Sequence, residues 1–334
     1  MTTSTPSMAA RSATAPAPAP PRTEQRSTGR LGDLIFAGAA RGSGVLVIAL
    51  VTLIGVFLVA QAIPALLKDQ ASFLTSREWT VAGDAPRFGI AELAWTTVSA
   101  SIIAMAIAVP VGVAVALFIT TYAPTWLRGP AATMIDMLAA VPSIVYGLWA
   151  VLSFRSVVRP VEDLIQQRLG GIPLFAPTGV SGGTIFFIGV VLSIMVLPIV
   201  TALSREVFAQ TPTSHREAAL ALGATTWEMV RTAVLPFGRP GVISAAMLAL
   251  GRALGETIAV TFIVSSLAPG TPWSWSLFNG GETFASRIAN NAGEFDSAQK
   301  TGAFIAAGLV LFVLTFLVNA VARIVIQRRA AFSE

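Results

Sequence analysis

Six long apolar stretches limit what this chain can fold into. They lie at residues 45–67, 93–127, 137–154, 180–204, 241–268 and 301–322, and only the fifth contains charged residues. Each is long enough to supply the roughly 20 residues that a helix needs to cross a bilayer. The whole chain is 54% hydrophobic and 12% charged, with a mean hydropathy of +0.73. The sequence therefore predicts an all-α integral membrane protein with six transmembrane helices.

The polar segments divide the chain around these helices. Residues 1–43 are rich in Ala-Pro, Ser and Thr and cannot bury an apolar face, so we expect a disordered tail there. Residues 44–92 would hold the first transmembrane helix and an outer loop, and residues 93–322 a transmembrane core. Residues 323–334 would form a C-terminal tail.

The distribution of basic residues predicts the orientation. If residues 1–43 are cytoplasmic, thirteen of the 22 Lys and Arg residues fall on the inner side and eight on the outer side. The remaining one is Arg252, inside the fifth stretch. An excess of basic residues inside is the usual bias of membrane proteins, so both termini are expected in the cytoplasm.

A charged insert separates the fourth and fifth stretches. Ser214 and Glu217 have the spacing of a capping box, which predicts that a short helix starts at Ser214. Ala218 and Ala219 continue it, and Gly223 is placed to end it in a left-handed conformation. A second short helix is predicted from about Thr225 to Val234, before Pro236 stops it. The insert should thus be two small helices joined at a glycine bend.

Charged residues within the fifth stretch point to a functional site. Arg252 and Glu256 are four residues apart, which places them on one face if the helix is continuous. Because a charge in the bilayer is costly, such residues usually face a protein interior or a water-filled path. Gly251 and Gly255 flank them and are candidates for close helix packing or a local bend. Pro142 is expected to kink the third helix.

Several functions are excluded by what the sequence lacks. There is no cysteine, which removes disulfides, thiolate catalysis and sulfur-ligated metal sites. The only histidine is His215, so a histidine-rich metal or catalytic site is excluded as well. A Walker-type ATPase needs Gly-Lys-Ser/Thr, but the only lysines are Lys68 and Lys300, and Gln299 precedes the second. We expect no enzyme active site and no cofactor bound by this chain.

Three motifs carry a resemblance to the permeases of ATP-binding-cassette (ABC) importers. The insert has Glu217-Ala218-Ala219 followed by Gly223 and Pro236 at the spacing of that family's coupling loop, which would span residues 205–240. Residues 141–149 read VPSIVYGLW and residues 250–260 read LGRALGETIAV. Together these motifs resemble the C-type permease subunit of bacterial phosphate-specific importers.

The resemblance implies a type I ABC importer permease fold in the bacterial plasma membrane and a set of partners. These would be a second, A-type permease, two ATPase subunits that use ATP-Mg, an extracytoplasmic phosphate-binding protein and the lipid bilayer, with no nucleic acid. It also implies that Ser214, Glu217, Ala218, Ala219, Gly223 and Pro236 belong to the ATPase coupling loop. Arg252 and Glu256 would line the phosphate path.

Two other functions fit parts of the pattern. One is a permease of the same superfamily for another cargo, such as sulfate, molybdate or a polyamine; Arg252 favours an anion over a polyamine. The other is a carrier driven by an ion gradient, in which Arg252 and Glu256 form a relay. The coupling-loop motif argues against such a carrier.

Overall fold

The computed structural model describes residues 30–83, 85–180, 182–264 and 274–330, and these are mainly helical. The helices are α1 (Arg30–Leu66), α2 (Ala91–Leu117), α3 (Thr125–Ala139), α4 (Ser143–Trp149), α5 (Arg155–Leu169), α6 (Ile185–Ala209), α7 (Thr213–Ala221), α8 (Thr226–Met229), α9 (Leu235–Leu254), α10 (Ile258–Ile263), α11 (Phe284–Asn290) and α12 (Ala298–Ala330). Strands β1 (Trp79–Thr80) and β2 (Arg87–Phe88) pair antiparallel. Single π-helical turns extend α2 at Phe118–Tyr122, join α4 to α5 at Ala150–Phe154 and join α8 to α9 at Val230–Val234.

The chain divides into two units, Met1–Leu53 and Ile54–Glu334. Among the described residues, the first unit contains only the N-terminal part of α1, and the second contains all the other elements. Residues 30–43, placed by the sequence in a disordered tail, are helical, because the apolar run 34–40 extends the helix upstream. The rest of that tail lies outside the described residues. At the other end, α12 continues to Ala330, through most of the predicted C-terminal tail.

Six helical segments in the described part of the chain are long and apolar enough to cross a membrane, as predicted. They are Gly32–Leu66, Ala91–Tyr122, Ser143–Leu169, Ile185–Ala209, Thr226–Leu254 and Ala298–Val321. The third is displaced from the predicted 137–154 because Pro142 has an extended backbone (ψ 141°) and immediately precedes α4. The prediction of a kink at Pro142 inside a span is therefore wrong: this proline sets where the helix starts.

Helices α2 and α6 form the centre of the core, and small residues bring them together. A Cβ atom added at Gly189 would lie 2.6 Å from the Ile103 side chain, and one at Gly112 would lie 2.9 Å from Val200. Helix α9 packs against α6 in the same way, with Gly238 and Gly241 next to Phe208 and Val207. Close approach through small residues is how membrane helices gain van der Waals contact when lipid supplies no hydrophobic drive.

The insert between α6 and α9 contains α7 and α8, but its first cap differs from the prediction. Pro212 precedes α7, and Ser214 lies inside the first turn without a capping bond, so the predicted capping box at Ser214 is wrong. Such a box occurs instead at α8, where Thr225 Oγ1 accepts from the Glu228 N–H and the Glu228 carboxylate accepts from the Thr225 N–H. The predicted bend is present at Gly223, which has φ of +86°.

The prediction that Pro236 stops the second helix is also wrong. Helix α8, the π-helical turn Val230–Val234 and α9 form one uninterrupted segment from Thr226 to Leu254. Pro236 falls in the first turn of α9. A proline cannot donate the backbone hydrogen bond of a regular helix, and a local π-helical turn is one way in which membrane helices accommodate it. Helix α8 of the insert is therefore continuous with the fifth span.

The left-handed conformation of Gly223 can be tested by substitution. Gly223→Ala puts a side chain into a left-handed conformation that costs about 1 to 2 kcal/mol for an L-residue. We expect trypsin to cleave at Arg216 and Arg231, which flank the bend, at least about fivefold faster in this variant than in the wild type. Gly223→Asn is the control. Asparagine tolerates this conformation, so trypsin should cleave this variant nearly as slowly as the wild type. Equal rates for glycine and alanine would contradict the assignment.

Candidate functional site

The fifth apolar stretch, residues 241–268, does not form one continuous helix. Helix α9 ends at Leu254, residues 255–257 are not helical, and α10 begins at Ile258. At the break the Gly255 N–H still donates to the Gly251 carbonyl at 3.3 Å. The sequence prediction that Arg252 and Glu256 share one helical face is therefore wrong, since the helix ends between them. Gly255 forms the predicted local bend, at the C-terminal cap of α9.

The position of Arg252 along the bundle follows from the packing of α9 on α6. Gly241 contacts Val207, near the end of α6, and Arg252 lies eleven residues further along α9, or about 16 Å at 1.5 Å per residue. From Ile185 to Val207, α6 is about 33 Å long on the same basis. Arg252 is thus close to half-way across the transmembrane bundle.

The guanidinium of Arg252 is uncovered within this chain. Its side chain is exposed, and it takes part in none of the ion pairs between described residues. A full charge at this depth is unfavourable in lipid, so the face that carries Arg252 must meet water or another protein.

Glu256 has the opposite environment. It is only 9% exposed, and its Oε1 accepts the Ala259 N–H at 3.2 Å, which caps the first turn of α10. Its Oε2 has no hydrogen bond to the described residues. One carboxylate oxygen therefore supports the backbone at the break, and the other is available to a donor from outside the described residues.

The motif 141–149 meets the motif 250–260 in the tertiary structure. Helix α4 packs on α10, and a Cβ atom added at Gly147 would lie 2.9 Å from Ala259 Cα. Gly147 is thus a site residue that the sequence analysis quoted within a motif without assigning it a contact. By contrast, a Cβ atom at Gly251 meets nothing within 4 Å, so the packing suggested for this glycine does not occur against the described residues.

The insert exposes apolar side chains at its tip. Leu222 is 90% exposed, and Leu220 and Trp227 are also largely uncovered. Glu217 and Ala218 are exposed on α7, whereas Ala219 lines a cleft of about 590 Å³ together with His215, Thr232, Ala233, Pro236, Phe237 and Pro240. Such a surface is typical of a protein docking element. Sequence analysis placed the insert but did not single out Leu222.

Two buried ion pairs at the other end of the bundle were missed by sequence analysis. Glu162 is 2% exposed and accepts from Arg155 and from Thr184 Oγ1, each at 2.5 Å. Glu282, also buried, pairs with Arg287 and accepts from Asn290 at 3.2 Å. Neither pair has helical i,i+4 spacing, and Thr184 is distant in sequence from Glu162, so only the fold reveals them.

Comparisons with known proteins place the chain in a family. The family model described as binding-protein-dependent transport system inner membrane component matches residues 108–331. The chain is 51% identical over 299 residues to "Phosphate transport system permease protein PstC 2" of Mycobacterium tuberculosis, covering 88% of this chain and 91% of that protein. It is 52% identical over 272 residues to the PstC protein of Mycobacterium leprae, covering 80% and 85%.

A solved structure supports the fold. The chain aligns with a bacterial ABC transporter involved in the import of the acidic polysaccharide alginate, with a TM-score of 0.50 and 16% identity, over 71% of this chain and 78% of that one. The architecture is that of an ABC importer permease, and the six apolar helices make this a multi-pass protein of the inner membrane. The chain belongs to the family of binding-protein-dependent transport system inner membrane components, among relatives named PstC.

Proposed function

We propose that this chain is a permease subunit of an ATP-driven importer of inorganic phosphate and that Arg252 and Glu256 line the path of the anion. The observation that carries the proposal is the uncovered arginine half-way through the bundle, beside a break in the fifth span. The names of the relatives favour phosphate as the cargo.

Arg252 supplies the attraction for the anion. Its guanidinium presents a planar set of donors that matches two oxygens of an oxyanion. Hydrogen bonds of this kind are stronger where water is excluded than in bulk water. An arginine without a carboxylate partner in the described chain keeps its full charge available for such an anion.

Glu256 discriminates between phosphate and sulfate. A carboxylate repels an anion in general, but its Oε2 can accept a hydrogen bond from a protonated phosphate oxygen. Sulfate is fully deprotonated near neutral pH and has no proton to donate. The pair thus favours an oxyanion that carries a proton over one that does not.

The insert couples this path to ATP hydrolysis on another polypeptide. Exposed Leu222 and Trp227 would dock on one of the two cytosolic ATPase subunits, which bind ATP-Mg. The helical segment from Thr226 to Arg252 rises about 39 Å without interruption, so movement of the insert reaches Arg252 along one arm. A second permease would cover the Arg252 face, and a binding protein would deliver phosphate at the outer side.

This arrangement also sets the orientation of the chain in the membrane. With the insert docked on cytosolic ATPases, both termini lie in the cytoplasm, in line with the distribution of basic residues. The buried pairs Arg155–Glu162 and Arg287–Glu282 then belong to the outer half of the protein. Sulfate or molybdate remains the alternative cargo, because Arg252 suits any oxyanion.

Reconstitution tests the function as a whole. The chain is assembled in liposomes with a second permease, the ATPase subunits and a binding protein from the same genome. We expect phosphate-loaded binding protein to stimulate ATP hydrolysis and to support phosphate uptake that requires internal ATP. Stimulation by sulfate-loaded binding protein instead would assign the other oxyanion, and uptake without ATPase subunits would indicate a gradient-driven carrier.

The role of Arg252 is tested by Arg252→Lys, which keeps the charge and removes the planar fork. We expect phosphate uptake to fall about tenfold, the effect of losing one charge-assisted hydrogen bond. The matched control is Arg239→Lys, at an exposed arginine near the start of the same helix. If both variants transport like the wild type, Arg252 does not bind the anion through its fork.

The role of Glu256 is tested by Glu256→Gln. The amide oxygen can still accept the Ala259 N–H, so the cap of α10 is retained, but the carboxylate that accepts from protonated phosphate is lost. We expect the preference for phosphate over sulfate to fall about tenfold, measured by competition in uptake assays. Glu206→Gln, at an exposed position of α6, is the control. An unchanged preference would contradict the assigned role.

A further inference from the structure

Among the described residues, the chain leaves helical geometry on both sides of helix α10. On its N-terminal side the chain is non-helical at residues 255–257, and on its C-terminal side Val264 is extended, with φ −59° and ψ 137°. The helix is only six residues long, Ile258–Ile263. Its position in the bundle therefore depends on its side contacts rather than on the helix before it.

Two glycines form the surface on which α10 rests. An added Cβ atom at Gly147 of α4 would lie 2.9 Å from Ala259 Cα and 3.1 Å from its carbonyl oxygen. An added Cβ atom at Gly183, just before α6, would overlap the Ile263 carbonyl oxygen. Ala259 and Ile263 are four residues apart and thus on one face, and both are buried. In each case the close atom belongs to backbone, which cannot move away by a rotamer change.

The same contact leads to the carboxylate of the site. The N–H of Ala259 donates to Glu256 Oε1, so the residue in contact with Gly147 also orients Glu256. A displacement of Ala259 would change the direction of the carboxylate and hence its distance from the uncovered Arg252. Nothing else in the described chain bonds to Glu256 through its side chain.

We propose that Gly147 and Gly183 are positioning residues of the anion path: they set α10 at the depth where Glu256 selects the anion held by Arg252. This inference rests on the proposed phosphate path. It assigns Gly147, the glycine of the 141–149 motif, a role in selectivity. Gly147 acts through the contact between α4 and α10 and does not touch the anion.

Hydrogen–deuterium exchange on the assembled complex tests the structural half of the inference and needs no substrate. We expect Gly147→Ala to speed exchange several-fold in peptides that cover residues 255–264 and to leave α2 and α6 unchanged. Gly129→Ala is the matched control, because it makes the same helical substitution where an added Cβ meets nothing within 4 Å. Gly183→Ala is a second variant that should disturb the same peptides from the other end of α10.

Substrate selectivity tests the functional half through a double-mutant cycle. We expect Gly147→Ala to lower the preference for phosphate over sulfate about as much as Glu256→Gln does, and the double variant to be no worse than the stronger single one. Such non-additivity is the signature of two residues that act through one contact. Simple destabilisation would lower uptake of both anions and leave their ratio unchanged.

The outcomes separate this inference from the proposed function. The inference is overturned if residues 255–264 exchange in Gly147→Ala and in Gly183→Ala as they do in the Gly129→Ala control. This holds whatever the cargo is. The inference is also overturned if exchange changes but the effects of Gly147→Ala and Glu256→Gln on selectivity multiply in the double variant. If the wild-type complex imports no phosphate, the proposed function fails, whereas the exchange result still decides whether the two glycines position α10.

Discussion

Lipid offers no hydrogen bonds, so every backbone group inside the membrane must find a partner within the protein. Most of this chain meets that constraint with continuous helices. An exception among the described residues is the break at 255–257, where α9 ends and α10 begins in the middle of the bundle. There the Glu256 carboxylate takes one freed N–H, and the close packing of α4 shields the segment. Breaks of this kind in transporters occur where backbone and side chains line a cavity.

The same constraint explains the helix that leads to the break. A proline in a membrane helix leaves a carbonyl without its usual donor, and Pro236 lies two residues after the end of a π-helical turn. Because this turn absorbs the irregularity locally, the segment from Thr226 to Leu254 stays one arm. The insert and Arg252 are therefore at two ends of a stiff element. That geometry suits a permease in which movement at the cytosolic side changes the environment of a mid-membrane charge.

Small residues determine how the elements fit together. Gly112 and Gly189 allow α2 and α6 to approach, and Gly147 does the same for α4 and α10. The contact of Gly147 with Ala259 in turn places the N–H that donates to Glu256. At the opposite end of the bundle, Glu162 and Glu282 are buried only because each has an arginine and a further donor beside it. Buried carboxylates without such partners would be strongly unfavourable.

The number of spans, the exposed insert, the left-handed bend at Gly223 and the family motifs could be predicted from the sequence, because hydropathy, glycine and motif spacing are local properties. The start of α4 after Pro142, the true cap at Thr225 and the continuity of the helix through Pro236 were mispredicted, since neighbouring residues compete for these roles. The separation of Arg252 from Glu256 by a helix end, and the contact of Gly147 with Ala259, were decided only by the tertiary structure. The physical reason is that packing across 112 residues of chain, rather than local propensity, holds α10 in place.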